Sequence, residues 1–228
     1  MRKLTLLLSM FLLITTYVFS QESGKWVIHV GAVIPGADFA DDDINNEKAL
    51  AAALGLGANI EYIYPLNENG LGLFAGLGLN FNWLKSDFKD EIIDDWGGGY
   101  VDEDDITFEK YFTVPVSAGL NYTYKTNDNL SLYGNAGLVD NIIIVTNFEV
   151  DMGSEGTSVQ SFDLSTNLGL KIGGGVILND KTYFSLNYVN AGKQKIKGEA
   201  ENDEFNYSTR FNRKHKINYL TLTVGFRL

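Results

Sequence analysis

Ten carboxylates crowd one stretch of this 228-residue chain: Asp87, Asp90, Glu91, Asp94, Asp95, Asp102, Glu103, Asp104, Asp105 and Glu109, with Lys89 as the only base among them. Oxygen donors at that density could chelate Ca²⁺ or Mg²⁺. The EF-hand pattern fails, however, because Thr107 stands where a glycine is needed after Asp102-x-Asp104-x-Ile106. Gly97–Gly99 and Tyr100 point to mobility rather than a preformed cage, so the expected state is a solvated acidic face with at most a diffuse atmosphere of divalent cations. A later stretch has the opposite sign: Lys193, Lys195, Lys197, Arg210, Arg213, Lys214 and Lys216, with Tyr207 and Phe211 between them. Lipid head-group phosphates would suit it, and so would the acidic stretch itself. The second pairing needs no third party and is the favoured expectation.

Two more charges are notable for their company. Glu61 and Lys171 share a strand face with Asn59, Asn80, Asn82, Asn121, Asn135 and Asn167. If that face is an interior, each charge must be paired or hydrated to be tolerated. A hydrogen-bonded plug is one outcome, and a narrow ion or solute path gated by the two charges is the other. The plug is favoured, because an eight-stranded interior is just wide enough for side chains to fill. Catalysis has little to draw on. His29 and His215 are the only histidines, and neither has a serine or aspartate at a spacing that predicts a nucleophile–base pair. With no cysteine, a disulfide, a thiolate metal site and an acyl-cysteine anchor are all excluded. No enzyme, cofactor or resident metal is expected.

The elements that would position these residues are strands of period two. Lys216–Leu228 shows Leu220, Leu222, Val224, Phe226 and Leu228 on one face, against Thr221, Thr223, Gly225 and Arg227. Leu71–Trp83 alternates best of all, with Leu71, Leu73, Ala75, Leu77, Leu79, Phe81 and Trp83 against glycine and asparagine. The same pattern predicts strands at Trp26–Pro35, Leu50–Pro65, Lys110–Lys125, from Leu130 to about Val145, from Phe162 to Leu178 and over Thr182–Val189. Pro115 falls on the inward parity of its strand, where its missing N–H predicts a bulge. Asp140 interrupts the apolar face of the strand that starts at Leu130. Lys85–Glu109, Met152–Ser161 and Asn190–Arg213 are expected as loops.

Eight strands result, with connections that alternate in length. Leu66–Gly70, Thr126–Asn129 and Asn179–Lys181 are tight turns, whereas the others run to about ten residues or more. Sorted loops of this kind, with both chain ends on the short-turn side, are the mark of a barrel that crosses an outer membrane. A soluble barrel would reverse the faces, with bulky residues inside and Lys and Glu outside. Aromatic residues add two belts at strand ends on the outward parity: Trp26, Tyr62, Tyr64, Tyr122, Tyr124, Phe184 and Phe226 at one side, Phe81, Trp83, Phe112 and Phe162 at the other. The long loops hold 22 of the 29 acidic residues. At the start, Arg2 and Lys3 precede the apolar run Leu4–Phe19, with Val18 and Ser20 at the −3 and −1 sites. Residues 1–20 are therefore expected to be a cleaved signal peptide, leaving residues 21–228 as the barrel domain with a mature N-terminus at Gln21. Removing Arg2 and Lys3 moves the net charge from −11 to −13, which disfavours nucleic acid as a partner.

The signal peptide, the AGLGLNFNW strand at Ala75–Trp83 and the terminal LTVGFRL together resemble the bacterial outer membrane protein beta-barrel domain family, including PorT-like members and small OmpA- and OmpX-type barrels. The resemblance covers about Gly24–Leu228. It implies an all-β, eight-stranded antiparallel up-and-down transmembrane barrel in the bacterial outer membrane. A peptidoglycan-binding domain like that of full OmpA proteins is not expected, so cell-wall tethering does not carry over. PorT-like relatives imply a role in surface secretion. The expected function is non-enzymatic: a monomeric barrel, bound to outer-membrane lipid, with a structural or surface-interaction role through acidic extracellular loops. A narrow channel, and an accessory part in a secretion or uptake complex, are the alternatives.

Overall fold

A computed structural model describes residues 24–97, 103–153, 156–202, 204 and 207–228; the expected signal peptide lies outside the described residues. The strands in chain order are β1 (Lys25–Gly36), β2 (Ala52–Pro65), β3 (Leu71–Leu84), β4 (Ile106–Thr107), β5 (Tyr111–Lys125), β6 (Leu130–Val145), β7 (Phe148–Asp151), β8 (Thr157–Phe162), β9 (Ser165–Leu178), β10 (Thr182–Asn202) and β11 (Tyr207–Arg227). An α-helix, α1 (Ser86–Gly97), stands between β3 and β4.

Eight strands close a ring in the order β11-β1-β2-β3-β5-β6-β9-β10, every neighbour antiparallel, with β10 pairing back onto β11. The seam matches Val27 with Arg227 and Gly36 with Asn218 in unbroken register. At the short-turn end Asp180 clamps it, binding Lys25 at 3.1 Å and Arg227 at 2.5 Å. Apolar residues alternate outward: Leu77 is 51% exposed, while Phe74 on the other parity of the same strand is 3% exposed. Large apolar side chains so exposed on every ring strand are tolerated only against lipid, which makes the barrel a membrane-spanning one.

The three short strands are continuations of the wall. β8 pairs with the upper part of β10, β7 with β8, and β4 with β7. Each lies in sequence next to the ring strand it prolongs, so half of the wall, from β11 round to β5, stands taller than the other half. The lower half, β1 to β3, ends in a loop over residues 37–51 and in α1. Here the structure corrects several expectations. Asn190–Arg213 is for the most part not a loop: β10 and β11 run on as a long hairpin, with a bulge at Asn190/Gly192 where Gly192 takes φ +69°. Part of Met152–Ser161 is strand β8. Lys85–Glu109 contains α1, bounded by the helix-terminal residues Ser86 and Gly97, and Phe88 on it packs against the core.

No bulge forms at Pro115. Its partner across β6 is Asn141 in continuous register, and β5 keeps one register with β3 on both sides of it. The ring is accommodated instead by Gly78, where an added Cβ would stand 2.9 Å from Pro115 Cγ. The bulge on the lower half falls in β2, between Ala52 and Gly55, which also moves the strand's start from Leu50 to Ala52. Asp140 does sit on the outward parity of β6, and it accepts a hydrogen bond from Thr166 Oγ1 at 2.5 Å.

The inside-out arrangement has a direct consequence. Leu77→Arg should cost about 2–4 kcal/mol in urea unfolding of the refolded protein in bilayers. Asn80→Ala, which gives up one interior hydrogen bond to Thr113 Oγ1 (2.9 Å), should cost only about 1 kcal/mol. Equal and small effects at both positions would overturn the assignment of faces.

Candidate functional site

The interior is occupied in tiers. At the long-loop end the segment 37–51 folds into the barrel mouth, bringing a buried Phe39 with Leu50 and Ala51 onto Leu84, Tyr111, Ile143, Ile196, Ile217 and Tyr219. Phe39 meets the Tyr111 ring edge-on, with centroids 5.5 Å apart. Polar ties hold the segment down. Tyr111 OH donates to Leu50 O at 2.6 Å, Lys216 N to Asp38 Oδ2 at 2.8 Å and Lys85 N to Ala51 O at 2.8 Å. His215 Nδ1 is 2.8 Å from Lys48 O, and as that carbonyl can only accept, the ring nitrogen carries the proton. Lys85 Nζ donates to Asp42 Oδ2 at 2.8 Å, and this bond holds the Asp42 carboxyl below its usual range.

Below this cap, Glu61 of β2 and Lys171 of β9 point into the lumen from opposite sides, and their head groups meet in a hydrogen-bonded ion pair. Glu61 is 3% exposed and Lys171 7%. The Lys171 ammonium also lies 5.0 Å from the Phe74 ring centroid. The other carboxylate oxygen, Oε2, is 3.8 Å from His29 Nε2. His29 Nδ1 faces Ser185 Oγ at 3.4 Å, and that hydroxyl is bonded to Tyr133 OH. Amides fill the remaining levels: Asn135 reaches Asn187 at 3.4 Å, Tyr219 OH donates to Asn141 Oδ1 at 3.0 Å, and a fully buried Gln194 donates to Asn141 O and Ser165 O.

Glu61, His29 and Ser185 stand in the order of a hydrolase triad, an arrangement that no spacing in the sequence announces. All three side chains are buried. Ser185 is 2% exposed, and the cavity lined by His29, Glu61, Tyr133 and Lys171 measures about 40 Å³. That space holds a few waters and no organic substrate. Below it Tyr133, Tyr183, Val27 and Ile177 form a second apolar layer. Only under that layer, within the ring of short turns, does the lumen widen into a vestibule of about 470 Å³ bordered by Lys25, Glu68, Asp128 and Asp180.

At the rim the charges are segregated. Asp87, Asp90, Glu91 and Asp94 ride on α1, at the β3–β5 connection, half a ring away from the β10–β11 hairpin that carries the lysines. Among the described residues no ion pair joins the two segments, which the ring order sets half a ring apart. Also among the described residues, no group of three or more acidic, histidine or cysteine side chains converges as a metal site.

A closed antiparallel ring with lipid-facing leucines and a filled interior defines a transmembrane β-barrel protein. The outer membrane protein beta-barrel domain model matches residues 5–212, and the chain belongs to that family. Its fold is shared with the outer membrane protein OprG from Pseudomonas aeruginosa at 14% identity and TM-score 0.52, over 91% of this chain and 97% of that one. A major outer membrane protein from Thermus thermophilus superposes with TM-score 0.51 at 12% identity, over 91% of this chain and all of that one. Neisserial surface protein A gives 17% identity and TM-score 0.48, over 91% and 99%. Comparison with curated proteins gives no match.

The buried pair can be tested by removing one or both partners. Glu61→Ala strands the Lys171 charge and should cost about 3–5 kcal/mol in urea unfolding. Glu61→Leu combined with Lys171→Met should stay within about 1 kcal/mol of the parent or exceed it. A double variant as damaged as the single one would show that the wider amide network, rather than the pair, holds the interior.

Proposed function

We propose that this outer-membrane barrel is a non-enzymatic, monomeric protein with a closed lumen, working through the structures at its long-loop end. The observation that carries this reading is the double closure: Phe39 and its loop seal the mouth, and the Glu61–Lys171 pair spans the middle, where it lines a cavity of about 40 Å³. With transport disfavoured, the taller half-wall, α1 and the acidic rim are what the molecule offers to its surroundings. By the convention of outer-membrane barrels these long connections face outward, while the short turns and both ends of the barrel lie in the periplasm. Residues 1–20 then serve as the cleaved export signal, and the acidic rim gathers divalent cations as a diffuse layer.

A second reading, a channel for small solutes, draws on the vestibule of about 470 Å³ at the short-turn end, which already brings solvent part of the way in. Planar-bilayer recordings separate the two, with heat-modifiable gel mobility confirming that each protein is folded. The parent protein should carry no steady current, and a variant that empties both closures and the tyrosine layer below them (Phe39→Ala, Glu61→Ala, Lys171→Ala, Tyr133→Ala, Tyr183→Ala) should conduct. Reproducible conductance by the parent protein would overturn the closed-lumen reading in favour of the channel.

A further inference from the structure

The β10–β11 hairpin carries a ladder of unmatched positive charge on one face. Across it Lys193 stands opposite Lys216 and Lys195 opposite Lys214, with Lys197 opposite Asn212. All five lysines are exposed, and their strand neighbours Gln194, Ile196, His215 and Ile217 are buried on the other face. Like charges placed directly across a strand pair repel and destabilise it. Among the described residues none of the five makes an ion pair. Just above them the same face is matched, since Arg210 lies 3.6 Å from Glu199. Two acids meet the hairpin's backbone at this level: Asp38, whose carboxylate accepts from the Lys216 amide at 2.8 Å, and Asp163, whose amide donates to Lys197 O at 2.8 Å. The chain as a whole is strongly acidic, so an uncompensated basic patch is not a by-product of its composition.

The level of the ladder is set by the wall beneath it. β11 has no bulge, so Lys214 and Lys216 continue the row of Leu222 and Leu220 on the lipid-facing side. From Leu220, the last apolar residue in that row, Lys216 is four residues on. That is roughly 13 Å along the strand and about 10 Å along the membrane normal at a tilt near 40°. Asn218 lies between the two and donates at 3.2 Å to the hydroxyl of Tyr188, the residue opposite Leu220, an aromatic–polar pair of the kind found at a membrane interface. The lowest rung therefore stands at the height of the lipid phosphates, and flexible lysine side chains from the higher rungs can reach down to it.

We infer that this lysine ladder is a docking face for anionic lipid phosphate in the outer leaflet, the lipid's charge relieving the repulsion between facing rungs. The inference rests on the membrane placement of the barrel and not on its closed lumen, so a conducting barrel would leave it intact. Refolded protein in nanodiscs of phosphatidylcholine, with or without a minority of phosphatidic acid, provides the test, read by thermal unfolding and by hydrogen exchange. Phosphatidic acid should raise the unfolding temperature of the parent by several degrees and slow exchange in residues 193–197 and 214–216 severalfold. A variant with all five lysines changed to glutamine should fold, since repulsion is removed, and should lose the response to lipid. The pair variant Lys193→Gln, Lys216→Gln, which empties one rung, should lose part of it. Equal responses in parent and glutamine variants would overturn the inference. So would protection produced equally by inorganic phosphate added to phosphatidylcholine discs, or binding of a soluble anionic polysaccharide without any lipid effect.

Discussion

A strand in hydrocarbon has no water to turn to, so each of its backbone amides and carbonyls must find a partner strand on both sides. Ring closure meets that demand, and most other features of this molecule follow from it. The β1–β11 seam removes the last free edges, and the antiparallel ladder then assigns every residue to lipid or to lumen by parity alone. Lipid draws leucine, isoleucine and valine outward. The lumen, too narrow for water to fill, is left to be packed with asparagine, tyrosine, serine and one ion pair whose lone pairs and protons find neighbours.

The packing of that lumen is uneven, and the unevenness shapes the protein. Two apolar layers, one under Phe39 and one around Tyr133 and Tyr183, bracket the polar middle that holds Glu61 and Lys171. A charge pair enclosed in this way is strengthened by its dry surroundings and costs a good deal to enclose. Its partners, the Asn59 amide and the Phe74 ring, supply part of what water would have supplied. Above the membrane the constraint on outward residues lapses, and the wall there becomes hydrophilic without ceasing to be a sheet.

This lapse explains what could and could not be read from the sequence. Within the membrane, Leu71–Trp83 alternates so strictly that strand, face and turn follow from the residues themselves. In Lys193–Lys197 the period of two persists, but lysine replaces leucine on the outer parity and the segment resembles a loop. The buried alternates, Gln194 and Ile196, were the available signal. Phe39 and the run Leu50-Ala51-Ala52 carried a similar hint that an acidic loop turns inward, obscured by Asp41, Asp42 and Asp43 around it. Pro115 misled for another reason, because the room it needs is supplied by Gly78 on the adjacent strand. The meeting of Ser185 and Tyr133 with His29 was beyond reach, since it depends on which strands face each other across a ring and at what height.

The seam also governs the order of events in assembly. Because Val27 pairs with Arg227, the ring stays open until the last strand has been delivered, and no partial chain can satisfy its own edges. Closure joins segments separated by nearly the whole length of the chain, the most expensive kind of contact to form by diffusion. Until that moment every outward leucine is a liability in water. Completion of the barrel is therefore a late and nearly all-or-none step, best taken at a bilayer that already offers its hydrocarbon to the unfinished wall.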